Sequence, residues 1–225
     1  MESRSYPRAL VAETVGTALL LAAVVGSGVM AERLAGGNVA VALLANTLAT
    51  GAALVALILT FGPVSGAHLN PAVTLADASQ GGLPWTRAAG YIGAQMLGAF
   101  AGVITAHAMF SEPLLSTSLH ERSGGAQVLS EFVATFGLLA VIWGVSRSRA
   151  AAIPFAVAAY ITSAYWFTAS TSFANPAVTA ARAFTNTFAG IRPIDAPGFI
   201  GAQLAGALAA TLLFRWLVPS RPGRD

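Results

Sequence analysis

The chain has 225 residues, of which 56% are hydrophobic and only 9% are charged. A soluble domain carries roughly a quarter charged residues, so this composition excludes an ordinary soluble fold and points to several membrane spans. All 12 basic residues are Arg and lie scattered between apolar runs, which excludes a clustered nucleic-acid patch, and the absence of Cys excludes disulfides and thiolate chemistry.

About 20 apolar residues cross a bilayer as a helix. The first such run covers 9–30, contains Glu13 and has no cleavage signal, so it reads as a retained span. A polar break from Glu32 to Asn38 precedes the second span, 39–60. There follows a small, polar stretch, Ser65-Gly66-Ala67-His68, and then Asn70-Pro71-Ala72-Val73-Thr74. Asn is a favoured N-cap and Pro fits the first helical position, so this motif reads as a loop turning into a helix. The apolar run behind it, 71–78, is too short to span and suits a re-entrant half-helix.

The third span is expected at 88–110, the fourth at 128–145 with Glu131 inside it, and the fifth at 151–169. A second small, polar stretch, Ser170 to Ala174, leads into Asn175-Pro176-Ala177-Val178-Thr179 and a second short run, 176–184. The sixth span closes the chain at 197–218.

The two Asn-Pro-Ala copies lie 105 residues apart, and Tyr91-Ile92-Gly93-Ala94-Gln95 is echoed 108 positions on by Phe199-Ile200-Gly201-Ala202-Gln203. Glu13 with Thr17 is echoed by Glu131 with Thr135. The chain therefore reads as one domain built of two repeats, about 1–115 and 116–225. Three spans per repeat is an odd number, which inverts the second copy and puts a shared site near the midplane.

With a cytoplasmic N-terminus, that side holds Arg4, Arg8, Arg87, Arg147, Arg149, Arg215, Arg221 and Arg224, against Arg33, Arg122, Arg182 and Arg192 outside. Positive residues favour the inner side, so both termini are expected there.

The residues suggest a path for a solute. Gly66-Ala67-His68 and Thr171-Ser172-Phe173 are expected to be extended and to offer carbonyl ladders, with the amides of Asn70 and Asn175 donating at the centre. The stripes Ala94-Gly98-Gly102 and Ala202-Gly206-Ala210 have the spacing that lets membrane helices approach closely, most simply within one subunit. His107 and His120 read as peripheral. Buried acids such as Glu13 and Glu131 suggest an ion or proton relay by default.

Ser65-Gly66-Ala67-His68-Leu69-Asn70-Pro71-Ala72-Val73-Thr74, together with the second motif and the two acids, resembles the major intrinsic protein family, the aquaporins and aquaglyceroporins. The resemblance covers essentially the whole chain. It implies an all-α membrane protein, a right-handed bundle of six transmembrane helices plus two re-entrant half-helices. It further implies one pore per subunit, a homotetramer in the lipid bilayer of the cell membrane, small neutral solutes as passengers, and neither cofactor nor metal nor catalysis. Glu13 and Glu131 become acceptors that support the two loops, and His68 a residue that holds its loop.

Most members follow the second Asn-Pro-Ala with an Arg that forms one side of the outer filter; this chain has Val178. Carried over by spacing, the other filter positions fall on Thr50, Ser163 and Ser172. All four are small and uncharged, so the expected filter is wide. Arg182, one turn after Val178, reads as an interfacial or loop-pairing residue, with partial replacement of the missing charge as the alternative. The second motif, with the downstream Thr185-Asn186-Thr187-Phe188-Ala189-Gly190-Ile191, is similar to bacterial aquaglyceroporins found beside arsenic-resistance genes and implicated in passing arsenite. The reading that follows is a passive channel for arsenite, glycerol-like solutes and water. The alternatives are a mainly water-conducting pore and an ion-coupled secondary transporter, which would need Glu13 and Glu131 as its coupling charges.

Overall fold

A computed structural model describes residues 5–217. Arg4, Arg221, Arg224 and the last residue of the expected sixth span lie outside the described residues. The described chain forms eight α-helices: α1 (Tyr6–Leu34), α2 (Val39–Ser65), α3 (Pro71–Ser79), α4 (Trp85–Phe110), α5 (Gly125–Ser146), α6 (Ile153–Phe167), α7 (Pro176–Arg182) and α8 (Ala196–Leu217). A short 3-10 turn, Ala150–Ala152, leads into α6, giving six helical stretches long and apolar enough to cross a membrane.

The helix ends follow local chemistry. Asn38 caps α2, its Oδ1 accepting from the N–H groups of Ala40 and Val41 at 3.1 and 3.2 Å. That helix runs past the expected end at 60, through Pro63, and stops at Gly66, whose φ of 98° needs no Cβ. α7 ends at Arg182, short of the expected 184. The carbonyl oxygens of Ala183 and Phe184 are taken by the N–H groups of Ser118 and Ser116 in the preceding loop, at 3.0 and 3.2 Å. The N–H groups of Ala183 and Phe184 turn to the Ala180 and Ala181 carbonyl oxygens, at 3.3 and 3.0 Å, and this tighter three-residue spacing ends the α ladder.

α1 packs along α4 and against α2; α5 packs along α8 and against α6. Small residues set the first member of each pair. A Cβ on Gly98 would overlap the carbonyl oxygen of Thr14, one on Gly102 that of Ala18, and one on Gly206 that of Phe132. The stripes thus work within the subunit. Overpacking of this kind costs about 1–3 kcal/mol or more. Gly102→Leu is therefore expected to lower the thermal midpoint in detergent sharply, whereas Gly93→Leu, which meets open space, should leave it near wild type. Equal midpoints for the two variants would contradict this account.

Leu48, Leu97, Leu208 and Trp216 stand exposed on the outside of the bundle, which suits a wall facing lipid. The apolar core gathers side chains from α1, α2, α4, α5, α6 and α8 around the two short helices. Helices α3 and α7 contact each other inside this bundle, where non-spanning backbone is tolerated because protein surrounds it.

Candidate solute pore

The centre is a reciprocal pair. Asn70 Nδ2 donates to the carbonyl oxygen of Ala174 at 2.7 Å, and Asn175 Nδ2 donates to that of Leu69 at 2.8 Å. Each Oδ1 caps its own helix, Asn70 accepting from Ala72 N–H at 2.9 Å and Asn175 from Ala177 N–H at 3.0 Å. An amide has two N–H donors, so one per Asn remains for the cavity that both residues line. Pro71, Ala72, Pro176 and Ala177 are buried.

The loops ahead of the two motifs are not extended. Ala67 and Leu69 have φ of 48°, and Thr171, Ser172 and Ala174 have φ of 60°, 51° and 49°. Non-glycine residues in this region cost about 1–3 kcal/mol each and persist only when their surroundings hold them. Two buried carboxylates do so. Glu13 Oε1 accepts from Ser65 Oγ (2.6 Å) and His68 N–H (3.0 Å), and Oε2 from Leu69 N–H (2.7 Å) and Gln95 Nε2 (2.8 Å). Glu131 Oε1 accepts from Phe173 N–H (2.8 Å), and Oε2 from Ala174 N–H (2.9 Å) and Gln203 Nε2 (2.6 Å). Gln95 and Gln203 each also donate to a helix threonine, Thr74 and Thr179, at 2.8 Å. These four residues are members of the site that the sequence reading passed over; their only signal was the repeat itself.

His68 does hold its loop, with Nδ1 3.1 Å from Thr74 Oγ1 and Nε2 3.5 Å from Asp77 Oδ2. His107 is not peripheral. It is fully buried, with Nε2 2.6 Å from Thr185 Oγ1 and Nδ1 3.0 Å from the carbonyl oxygen of Leu114, which ties the end of α4 to the segment after α7. His120 is exposed.

A cavity of about 260 Å³ runs past both motifs. It is walled by α1, α2, α3, α5, α6, α7 and the two loops, while α4 and α8 contribute no lining residue and act from behind through Gln95 and Gln203. Gly66, Ala67, His68, Ser172 and Phe173 line it. Thr171, expected in the second ladder, does not; its Oγ1 instead accepts from Arg122 Nη1 at 3.5 Å.

Of the four expected filter positions, Thr50, Ser172 and Val178 line the cavity. Ser163 does not: it is exposed, and its hydroxyl donates to the Tyr160 carbonyl oxygen at 2.7 Å. The cavity face of α6 is Ile153, Val157, Ile161 and Tyr165, in steps of four, and a residue two positions off that series points about 200° away. Tyr165 stands in the wall instead, donating to Thr50 Oγ1 at 3.3 Å. The wall is therefore not made of small side chains alone.

Nor is it uncharged. Arg182 is 2% exposed, lines the cavity, and stacks its guanidinium 3.4 Å from the centre of the Phe173 ring. Its Nε donates to the Ala189 carbonyl oxygen, and its own carbonyl oxygen accepts from Ile191 N–H at 3.2 Å, so it is a loop-pairing residue as well. Arg122 lies 5.0 Å from the same ring but outside the cavity lining, bonded to the carbonyl oxygens of Gly190 (2.8 Å) and Ser170 (3.2 Å). Burial brings the Arg122 guanidinium down to about 10, against the opposing pull of Glu131, which leaves it cationic at neutral pH.

The sequence profile described as Major intrinsic protein matches residues 1–152, about two thirds of the chain. The chain belongs to the major intrinsic protein family. Among curated relatives it is 56% identical over 223 residues to "Aquaglyceroporin AqpS" of Rhizobium meliloti (strain 1021), an alignment covering 99% of this chain and 95% of that one. It is 33% identical over 156 residues to the "Probable glycerol uptake facilitator protein" of Thermotoga maritima, covering 62% of this chain and 65% of that one. Among solved structures, the aquaglyceroporin of Plasmodium falciparum superposes with a TM-score of 0.74 at 23% identity, over 96% of this chain and 98% of that one. Fold and membership thus agree, and this major intrinsic protein is a multi-pass channel protein rather than an enzyme.

Proposed function

We propose that this chain is a passive channel for small uncharged solutes, with glycerol-like polyols and arsenous acid among them and water as a companion. The observation that carries the reading is the cavity lined by both Asn70 and Asn175, each with one amide N–H in hand. A solute entering the bundle must exchange hydration for donors and acceptors on the wall. The two loops and the two amides supply them, and Leu20, Val24, Leu138 and Val157 add apolar surface to the same wall. A neutral polyol is served by such a wall, whereas a bare ion has no counter-charge at the centre. Arsenous acid fits because it is a neutral trihydroxy species of glycerol-like size at neutral pH. The names of the Rhizobium and Thermotoga relatives support the polyol class.

Coupled transport is disfavoured by Glu13 and Glu131, whose oxygens are occupied by loop donors and which do not line the cavity. The paired interactions of Glu13 with Gln95 and of Glu131 with Gln203 support two inverted repeats of about 1–115 and 116–225. Arg8, Arg87, Arg147, Arg149 and Arg215 support a cytoplasmic placement of both termini, and membership of the family supports a homotetramer in the cell membrane.

Stopped-flow light scattering on proteoliposomes tests the reading. Glycerol and arsenite flux should run in both directions, scale linearly with the gradient and ignore an uncoupler. Saturating flux that collapses with an uncoupler, or passage of water alone, would overturn it.

A further inference from the structure

The wall of the pore carries one guanidinium that the motif itself does not predict. Where the second motif places Val178, no charge is available, yet Arg182 follows on the same face of α7 four residues later, about 6 Å along the axis. Helical side chains lean toward the N-terminus of their helix, so a long side chain at 182 reaches back toward the level of residue 178. Both residues line the same cavity, together with Tyr165, Ser172 and Phe173. The guanidinium is fixed there rather than free to swing out. The Phe173 ring lies 3.4 Å beneath it, and the Ala189 carbonyl oxygen takes its Nε donor.

Two further features give that charge something to do. Among the described residues no carboxylate lies within ion-pair distance of Arg182, so its charge is not cancelled locally. Its two terminal nitrogens also have no protein acceptor among the described residues, and the side chain borders the cavity. Donors that no protein group takes, bordering a cavity, form a site where a passing oxygen can bind for a moment.

We infer that Arg182 is the specificity-determining cation of the outer pore: from one turn beyond Val178 it bars cations and offers N–H donors to solute oxygens. This rests on the channel reading above. A plain structural role, pinning the segment around Ala189, would need the Nε donor but not the charge. The two roles separate by substitution. Arg182→Gln keeps an N–H donor near Ala189 and removes the charge; Arg182→Lys keeps the charge.

The experiment compares wild type, Arg182→Gln and Arg182→Lys in proteoliposomes, reading glycerol flux by light scattering and potassium flux by a valinomycin-free potassium-sensitive dye. The expected result is potassium flux raised at least about tenfold in Arg182→Gln, with glycerol still passing, and cation exclusion kept in Arg182→Lys. Arg182→Gln that passes glycerol and excludes potassium as wild type does would overturn the inference while leaving the channel reading intact. Wild type that passes no glycerol would strike the channel reading itself.

Should Arg182→Gln fail to fold, Arg182→Lys carries the test alone. Its potassium flux should rise more steeply than that of wild type as pH is taken from about 7 to about 9, because a desolvated lysine loses its charge at lower pH than an arginine in the same place. The titratable neighbours are Tyr165, Arg122 and Glu131, with His120 further out, and all are common to both proteins. A flat profile in the Lys variant would overturn the inference.

Discussion

Glu131→Gln is expected to abolish solute flux and to lower the thermal midpoint in detergent as severely as Glu131→Ala. The carboxylate is fully buried and accepts from Phe173 N–H, Ala174 N–H and Gln203 Nε2. Alanine leaves those three donors without acceptors, at about 1–3 kcal/mol for each. Glutamine does little better: one of its two oxygens becomes an NH2 group that faces a donor. The loop behind it carries Thr171, Ser172 and Ala174 at positive φ and relaxes once the acceptor is gone. The same substitution at Glu13 should act alike on Ala67 and Leu69, since its carboxylate accepts from His68 N–H and Leu69 N–H. A Glu131→Gln protein that stays folded and conducts glycerol at the wild-type rate would show that the carboxylate is not what holds the loop.

Val178→Arg is the second large effect. Val178 is 5% exposed and borders the cavity that Thr50 and Tyr165 also line. A guanidinium there narrows the cavity and sits one turn from Arg182, so two like charges repel at i,i+4 spacing. Glycerol and arsenite flux should fall by about an order of magnitude or more, since a change of a few methylenes in a close-fitting site already discriminates at that level. Water, with its smaller cross-section, should be spared. The measurement is paired stopped-flow traces for the three solutes. Unchanged glycerol and arsenite flux would place the narrowest point elsewhere along the cavity.

The features legible in the sequence were those with a local signal. Six apolar runs, two Asn-Pro starts and two acids inside apolar spans can each be read within a few residues, and the corresponding helices and loops stand at those places. Helix rotation is not local. Counting back from Asn175 reached Ser163, but the four-residue cavity face of α6 runs through Ile161 and Tyr165 and turns Ser163 outward. Partners distant in sequence were invisible for the same reason: His107 meets Thr185 78 positions away. The left-handed backbone at Ala67, Leu69, Thr171, Ser172 and Ala174 carries no glycine to announce it, because buried carboxylates impose it. Arg182 was legible as a loop-pairing residue; that it also borders the cavity depends on where Phe173 and Ala189 stand.

The reciprocal bonds of Asn70 and Asn175 have a mechanical consequence. Each half of the chain grips the last loop carbonyl of the other, and that carbonyl belongs in both cases to a left-handed residue, Leu69 or Ala174. Widening or closing the pore at its midpoint would break both bonds together and release both strained loops, which makes the centre its stiffest point. Any opening or closing is therefore expected away from this pair, elsewhere along the cavity that Arg182, His68 and Asp77 also line.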